Sequence, residues 1–129
     1  MPESMPNYRT RSQRFDAQVL AAYAPIQQAF PRELANLDVA VDTVPRMQLG
    51  AILPPEIVAD GRVPLGRLIP AGIDRAGAPR RPRIVIFRKP VEQRVPDRDR
   101  AWYLRGVLGN LVATYLNVDP QDIDPDYFR

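Results

Sequence analysis

Six basic side chains, Arg75, Arg80, Arg81, Arg83, Arg88 and Lys89, fall within one short part of the chain, and three aspartates, Asp122, Asp124 and Asp126, alternate near its end. Guanidinium groups grip phosphate and carboxylate in a two-pronged fashion, so the first set is a candidate surface for nucleic acid or another anionic partner. Only Phe87 stands among them as a stacking aromatic, whereas a single-strand binder interleaves several. The alternating aspartates have the spacing that opens a calcium loop. Tyr127 takes the place of its turn glycine, and no closing glutamate follows. Asp97 and Asp99 form another pair, for which capping a helix start is the ordinary role. The two glycines of GRVPLGRL lack the lysine and hydroxyl residue of a phosphate loop.

The strongest exclusion comes from what is missing. The 129 residues contain no histidine and no cysteine. Catalytic zinc is held by imidazole or thiolate, supplemented by carboxylate, and this chain cannot build such a site alone. Ser–His and Cys–His nucleophiles are excluded too, as is a disulfide framework. The net charge is +3, and of 18 basic residues only Lys89 is lysine. That charge is mild for a nucleic-acid binder, and GC-rich coding is the favoured explanation of the arginine bias. No apolar run reaches membrane-spanning length, and the start MPESMPNYRTRSQR lacks an apolar signal core. A cytoplasmic protein with one modest core and no membrane association is expected.

These residues must be positioned by a few elements. Residues 1–11 read as a flexible arm and 12–129 as one domain. Thr10 and Gln13 fit a capping box, and Phe15, Val19, Ala22, Tyr23, Ile26 and Phe30 predict a helix over 12–30, kinked or cut short at Pro25. Val39 to Val44 predicts a strand ended by Pro45. Arg46 to Pro64 reads as a long loop of the kind that serves as a lid or contact loop. Leu65 to Ile69 could form a short strand, and Gly72 to Pro82 is a second loop. Arg83 to Lys89 is the clearest strand, its run of Ile84 to Phe87 apolar on both faces; its flanking prolines and charges also suit an edge. Leu104, Val107, Leu108, Leu111, Val112 and Tyr115 mark one face of a helix over Asp97 to Val118, with Asp97 as N-cap, Asn117 as left-handed stop and Asp119-Pro120 opening a last short turn. The class is α+β, a small mixed three-stranded sheet packed on an N-terminal helix and a long C-terminal one.

The second half of that long helix, NLVATYLNV, resembles the zinc-binding helix HEVAHYLGI of small bacterial zincin-like metallopeptidases. Val112, Ala113, Tyr115, Leu116 and Val118 match it or replace it conservatively. RTRSQRFD, the strand ending in Val44-Pro45, VPLGRLIPA, RIVIFRKPVE and LNVDPQDIDPDY look like the same family, the last like its actinobacterial branch, whose members often lack the histidines. The resemblance spans roughly residues 8 to 127 and implies a minimal zincin-like fold. In the family, two histidines one helical turn apart grip zinc and a glutamate activates its water. Those positions are Asn110, Thr114 and Leu111 here, so the resemblance implies a protein that has lost the activity, with no metal and no cofactor.

The expectation is therefore a catalytically inactive zincin-like domain acting as a small interaction or regulatory protein. A protein partner would dock by strand addition at Arg83 to Lys89, with Arg80, Arg81, Arg83, Val85, Phe87, Arg88 and Lys89 as candidate contacts and the loop Arg46 to Pro64 beside them. The alternatives are binding of nucleic acid or an anionic partner through the arginine cluster, and residual metal-dependent peptidase activity.

Overall fold

A helix that begins inside the expected arm sets one side of the molecule. The structure, a computed structural model, describes residues 10–128, so most of the arm lies outside the described residues. Thr10 is the N-cap of α1 (Arg11–Ala29). Its hydroxyl accepts the Gln13 amide at 3.1 Å, and the Thr10 amide donates to the Gln13 side chain at 3.0 Å. This reciprocal box satisfies two amides that a helix start leaves without partners. Thr10→Ala is expected to cost about 1 kcal/mol, read as a lower urea midpoint with an unchanged slope.

Pro25 does not end α1, so the early stop that its sequence position allowed is excluded. The helix runs through it to Ala29. Pro25 and Ala21, whose carbonyl loses its donor, both lie on the exposed side, where water can serve that acceptor. The buried stripe Phe15, Val19, Ala22, Tyr23 and Ile26 continues across the proline.

Six strands follow: β1 (Asp38–Asp42), β2 (Ile57–Asp60), β3 (Val63–Ile69), β4 (Gly72–Ile73), β5 (Pro79–Arg80) and β6 (Arg83–Phe87). The main sheet has four strands in the order β1-β6-β3-β2, and β4 with β5 makes a separate small ladder. The three-stranded expectation is corrected because the presumed loop 46–64 contains β2. Gly61, at φ 62°, supplies the left-handed turn that folds β2 back on β3. β1 joins β6 in parallel, and the other pairs are antiparallel.

β6 is internal. Val39 to Asp42 pair with it on one side and Gly66 to Ile69 on the other. Ile84 and Ile86 are wholly buried in the main core with Phe15, Leu104, Leu108 and Leu111. Val85 and Phe87 are buried too, and strand alternation points them to the opposite face. The edge-strand option for this segment is thereby excluded.

Among the described residues three helices follow: α2 (Arg88–Arg94), α3 (Asp97–Leu116) and α4 (Pro120–Ile123). α2 is absent from the sequence reading, where Pro90 marked a boundary. Pro90 lies in the first turn, where a missing amide costs little. α3 has the expected face, with Leu104, Val107, Leu108, Leu111 and Val112 buried. Its stop is Asn117, at φ 57°. Its N-cap is Pro96, not Asp97, whose carboxylate accepts from Gln18 at 3.0 Å and from Arg100 at 3.2 Å. α4 starts as expected, with Asp119 as N-cap and Pro120 in its first turn. The α+β class therefore holds, with α1 and α3 packed together and α3 lying along β3 and β2.

Candidate functional site

Asn110 and Thr114 project from α3 one turn apart, as their spacing requires. The Asn110 side-chain amide donates to the Gly106 carbonyl at 3.0 Å. The Thr114 hydroxyl lies 3.2 Å from both the Asn110 and Pro55 carbonyls. It has one proton, so the two oxygens share it. Both side chains are thus engaged with backbone, one of them bridging α3 to the residues just before β2. Leu111 behaves differently. It is fully buried, and its Cδ1 would sit 3.1 Å from a Cβ placed on Gly66 of β3. The lack of a side chain at Gly66 is what lets α3 approach the sheet so closely.

Two hollows lie near this face of α3. One, of about 240 Å³, lies between β2 and α3 and is lined by Val58, Ala59, Asp60, Leu65, Tyr103, Gly106, Val107, Asn110 and Tyr127. The other, of about 620 Å³, takes in Glu56, Leu68, Pro70, Thr114 and Tyr115. β2 is the outer strand above the first hollow and, among the described residues, pairs only with β3. A register shift between Val58 and Ala59 marks a bulge there, which bends an edge strand and re-aims its side chains.

The walls of the first hollow are fixed by charge and by ring packing. Arg94 of α2 donates to Asp60 at 2.7 Å, pinning the end of β2. Burial, with the charge of Asp60 adding to it, pushes the Tyr103 phenol above its usual value, so it remains a hydrogen-bond donor through the neutral range. Tyr127 enters from the chain's end. A Cβ on Gly106 would meet its ring at 2.7 Å, and a Cβ on Gly109 would meet the Phe128 ring at 2.7 Å. These two glycines are notches in α3 that receive the terminal aromatics. Asp124 accepts bonds from Arg105 Nε and, at 2.7 Å, from Nη2. The Arg105 bond holds the Asp124 carboxyl below its ordinary range.

The chain matches no family model and no curated protein.

The basic residues singled out in the sequence do not form one surface. Arg75 is exposed beside the turn closed by Asp74 and Gly77. Arg80 donates to the Pro70 carbonyl at 3.3 Å, and Arg81 pairs with Asp38 at 3.2 Å. Arg83 opens β6, while Lys89 lies beyond its far end. Arg88 is mostly buried against Glu92, 3.0 Å away. Val85 and Phe87 are buried beneath the sheet surface. Docking a strand on Arg83 to Lys89 is therefore corrected: both edges of β6 are taken, and its apolar side chains are out of reach.

Sequence reasoning missed Glu56, Tyr103 and Tyr127. The spacing Gly106-x-x-Gly109 beside Trp102 was the one available signal, since two glycines on a buried helix face mark a close approach. Among the described residues, no three His, Cys, Asp or Glu side chains gather as a ligand cluster. What the arrangement offers is an outer strand, an apolar trough with Tyr and Asn hydrogen-bonding groups, and carboxylates at Glu56 and Asp60. Among the described residues no helix is long and apolar enough to cross a membrane.

Proposed function

We propose that the chain is a peptide-binding interaction protein of the minimal zincin type, without metallopeptidase chemistry, and that an extended partner segment adds to the free edge of β2. The observation that carries this reading is the position of that edge. β2 is an outer strand lying over the α3 face that holds Asn110, with Thr114 tied to Pro55 beside it. Strand addition draws its affinity from backbone hydrogen bonds and its selectivity from pockets for alternate side chains. The trough of Val58, Leu65, Tyr103, Val107 and Tyr127 takes one apolar side chain, and Asp60 and Glu56 favour basic neighbours on either side. The loss of chemistry rests on the residues themselves: Leu111 has no proton to exchange, and amide and hydroxyl oxygens are weak donors to zinc.

A phage-displayed library of random extended peptides, selected on the pure protein, tests the proposal. Bound peptides should slow amide exchange at Ile57 to Asp60 and leave Asp38 to Asp42 unchanged. Ala59→Arg, which fills the trough, should weaken binding on the order of tenfold. Protection confined to Asp38 to Asp42, or binding indifferent to Ala59→Arg, would remove the β2 assignment. Stoichiometric zinc with chelator-sensitive peptide cleavage by the pure protein would overturn the non-catalytic reading.

A further inference from the structure

The beginnings of α1 and α3 meet α2 around a separate hollow of about 530 Å³, lined by Arg11, Arg14, Glu92, Asp97 and Arg100. It shares no lining residue with the trough under β2. We propose that this hollow binds a small ligand carrying a phosphate monoester. Charge gives the first reason. Arg88 is matched by Glu92 at 3.0 Å, and Asp97 faces both Arg100 at 3.2 Å and Arg14 at 3.9 Å. Arg11 has no ion pair among the described residues. Three guanidinium groups line the hollow beside two carboxylates, one of which is already matched by Arg88, so the hollow keeps a positive excess that suits a phosphate group.

Arg100 gives the second reason. Its side chain is only 11% exposed. Nη1 bonds Asp97, and Nη2 donates to the Val95 carbonyl at 2.9 Å. Its Nε is buried with no acceptor. Each Nη nitrogen keeps a second N–H beyond these bonds, and these are the donors Arg100 can offer to an anion in the hollow. The carboxylates do not spoil the site, because they hold the arginines in place. Asp97, itself fixed by Gln18 at 3.0 Å, aligns Arg100 and Arg14. A guanidinium held by one acceptor presents its remaining N–H groups without further loss of side-chain freedom, and its fork fits phosphate better than an ammonium would. A hollow of this volume is in the range that holds a small organic ligand.

Inorganic phosphate is the probe. Titrated into the full chain and followed by phosphorus NMR line width, it should bind saturably at one site and raise the unfolding temperature above that in chloride of equal ionic strength. Arg11→Gln combined with Arg14→Gln should weaken it on the order of tenfold. Arg11 is exposed, as is most of the Arg14 side chain, so the double variant should keep the fold, checked by circular dichroism. Ala59→Arg should leave phosphate binding unchanged, which separates this site from the β2 trough. A response no larger than chloride gives, or undiminished binding by the double variant, would overturn the proposal.

Discussion

Leu111→Glu should destabilise the protein by about 4 kcal/mol or more at neutral pH, enough to unfold much of a chain of ordinary stability. Leu111 is fully buried, packed under Gly66 and beside Ile86. A carboxylate there would lose its water and gain no partner. The substitution puts the acid of the resembled motif back in its place, yet this backbone has made that place part of the core. The pH dependence has a definite sign. A buried glutamate has its folded pKa raised above the unfolded value of about 4.3. Relative to wild type, the penalty is smallest below that value and grows as pH rises through the window up to the raised folded pKa. Leu111→Met, nearly equal in volume, should cost under about 1.5 kcal/mol. Urea unfolding of both variants at several pH values is the measurement. A Glu variant within 1 kcal/mol of wild type at neutral pH, on the scale of ordinary surface changes, would mean that position 111 reaches solvent.

The second large effect is at the chain's end. Asp124→Asn should cost about 2 to 3 kcal/mol, since it removes a charge-assisted two-point contact and leaves Arg105 facing an amide. Asp124 is buried, and its side chain is only 10% exposed. Arg105 depresses the Asp124 pKa below the ordinary 3.8. The pair's contribution is therefore complete above that value and fades as pH falls toward the depressed folded pKa. The difference between wild type and variant should be flat near neutrality and shrink in acid. Trp102 supplies the signal. It is the only tryptophan, it is more than half exposed, and its ring lies 4.6 Å from that of Tyr127. Release of the terminal segment should change its fluorescence before the core unfolds. Identical acid profiles for the two proteins would rule out a stabilising role for the pair.

Much of the fold could be read where one physical cause dominates. The α3 stripe, the Thr10–Gln13 box, the Asn117 stop and the Asp119-Pro120 turn are all local, and each appears where its residues predict it. β2 could not be read, because Ile57 to Asp60 is short and only half-buried. Its identity as a strand comes from pairing with β3 across the Gly61 turn, which is a tertiary fact. Asp60-Gly61 is a turn-forming pair, but nothing beside it is long enough to declare a strand. Proline is an ambiguous boundary signal, because its cost depends on whether its missing amide was needed. In the first turn of α2 it was not, and on the wet side of α1 water could serve the carbonyl left behind. For the site, the Asn110 and Thr114 spacing was legible as a helix face. The assembly of Tyr103, Asp60 and Tyr127 around it was not, since those residues come from three separate elements.

The partners of the first helix and first strand are remote in sequence. α1 is anchored on α3, with Gln18 bonded to Asp97, 79 residues further on, and among the described residues β1 has no sheet neighbour but β6. During synthesis, α1 and β1 leave the ribosome before β6 and α3, the elements they pack and pair with. The interior closes only when α3 arrives, so contact formation is delayed and then nearly all-or-none. Until then the stripe from Phe15 to Ile26 is a natural client surface for whatever shields nascent chains.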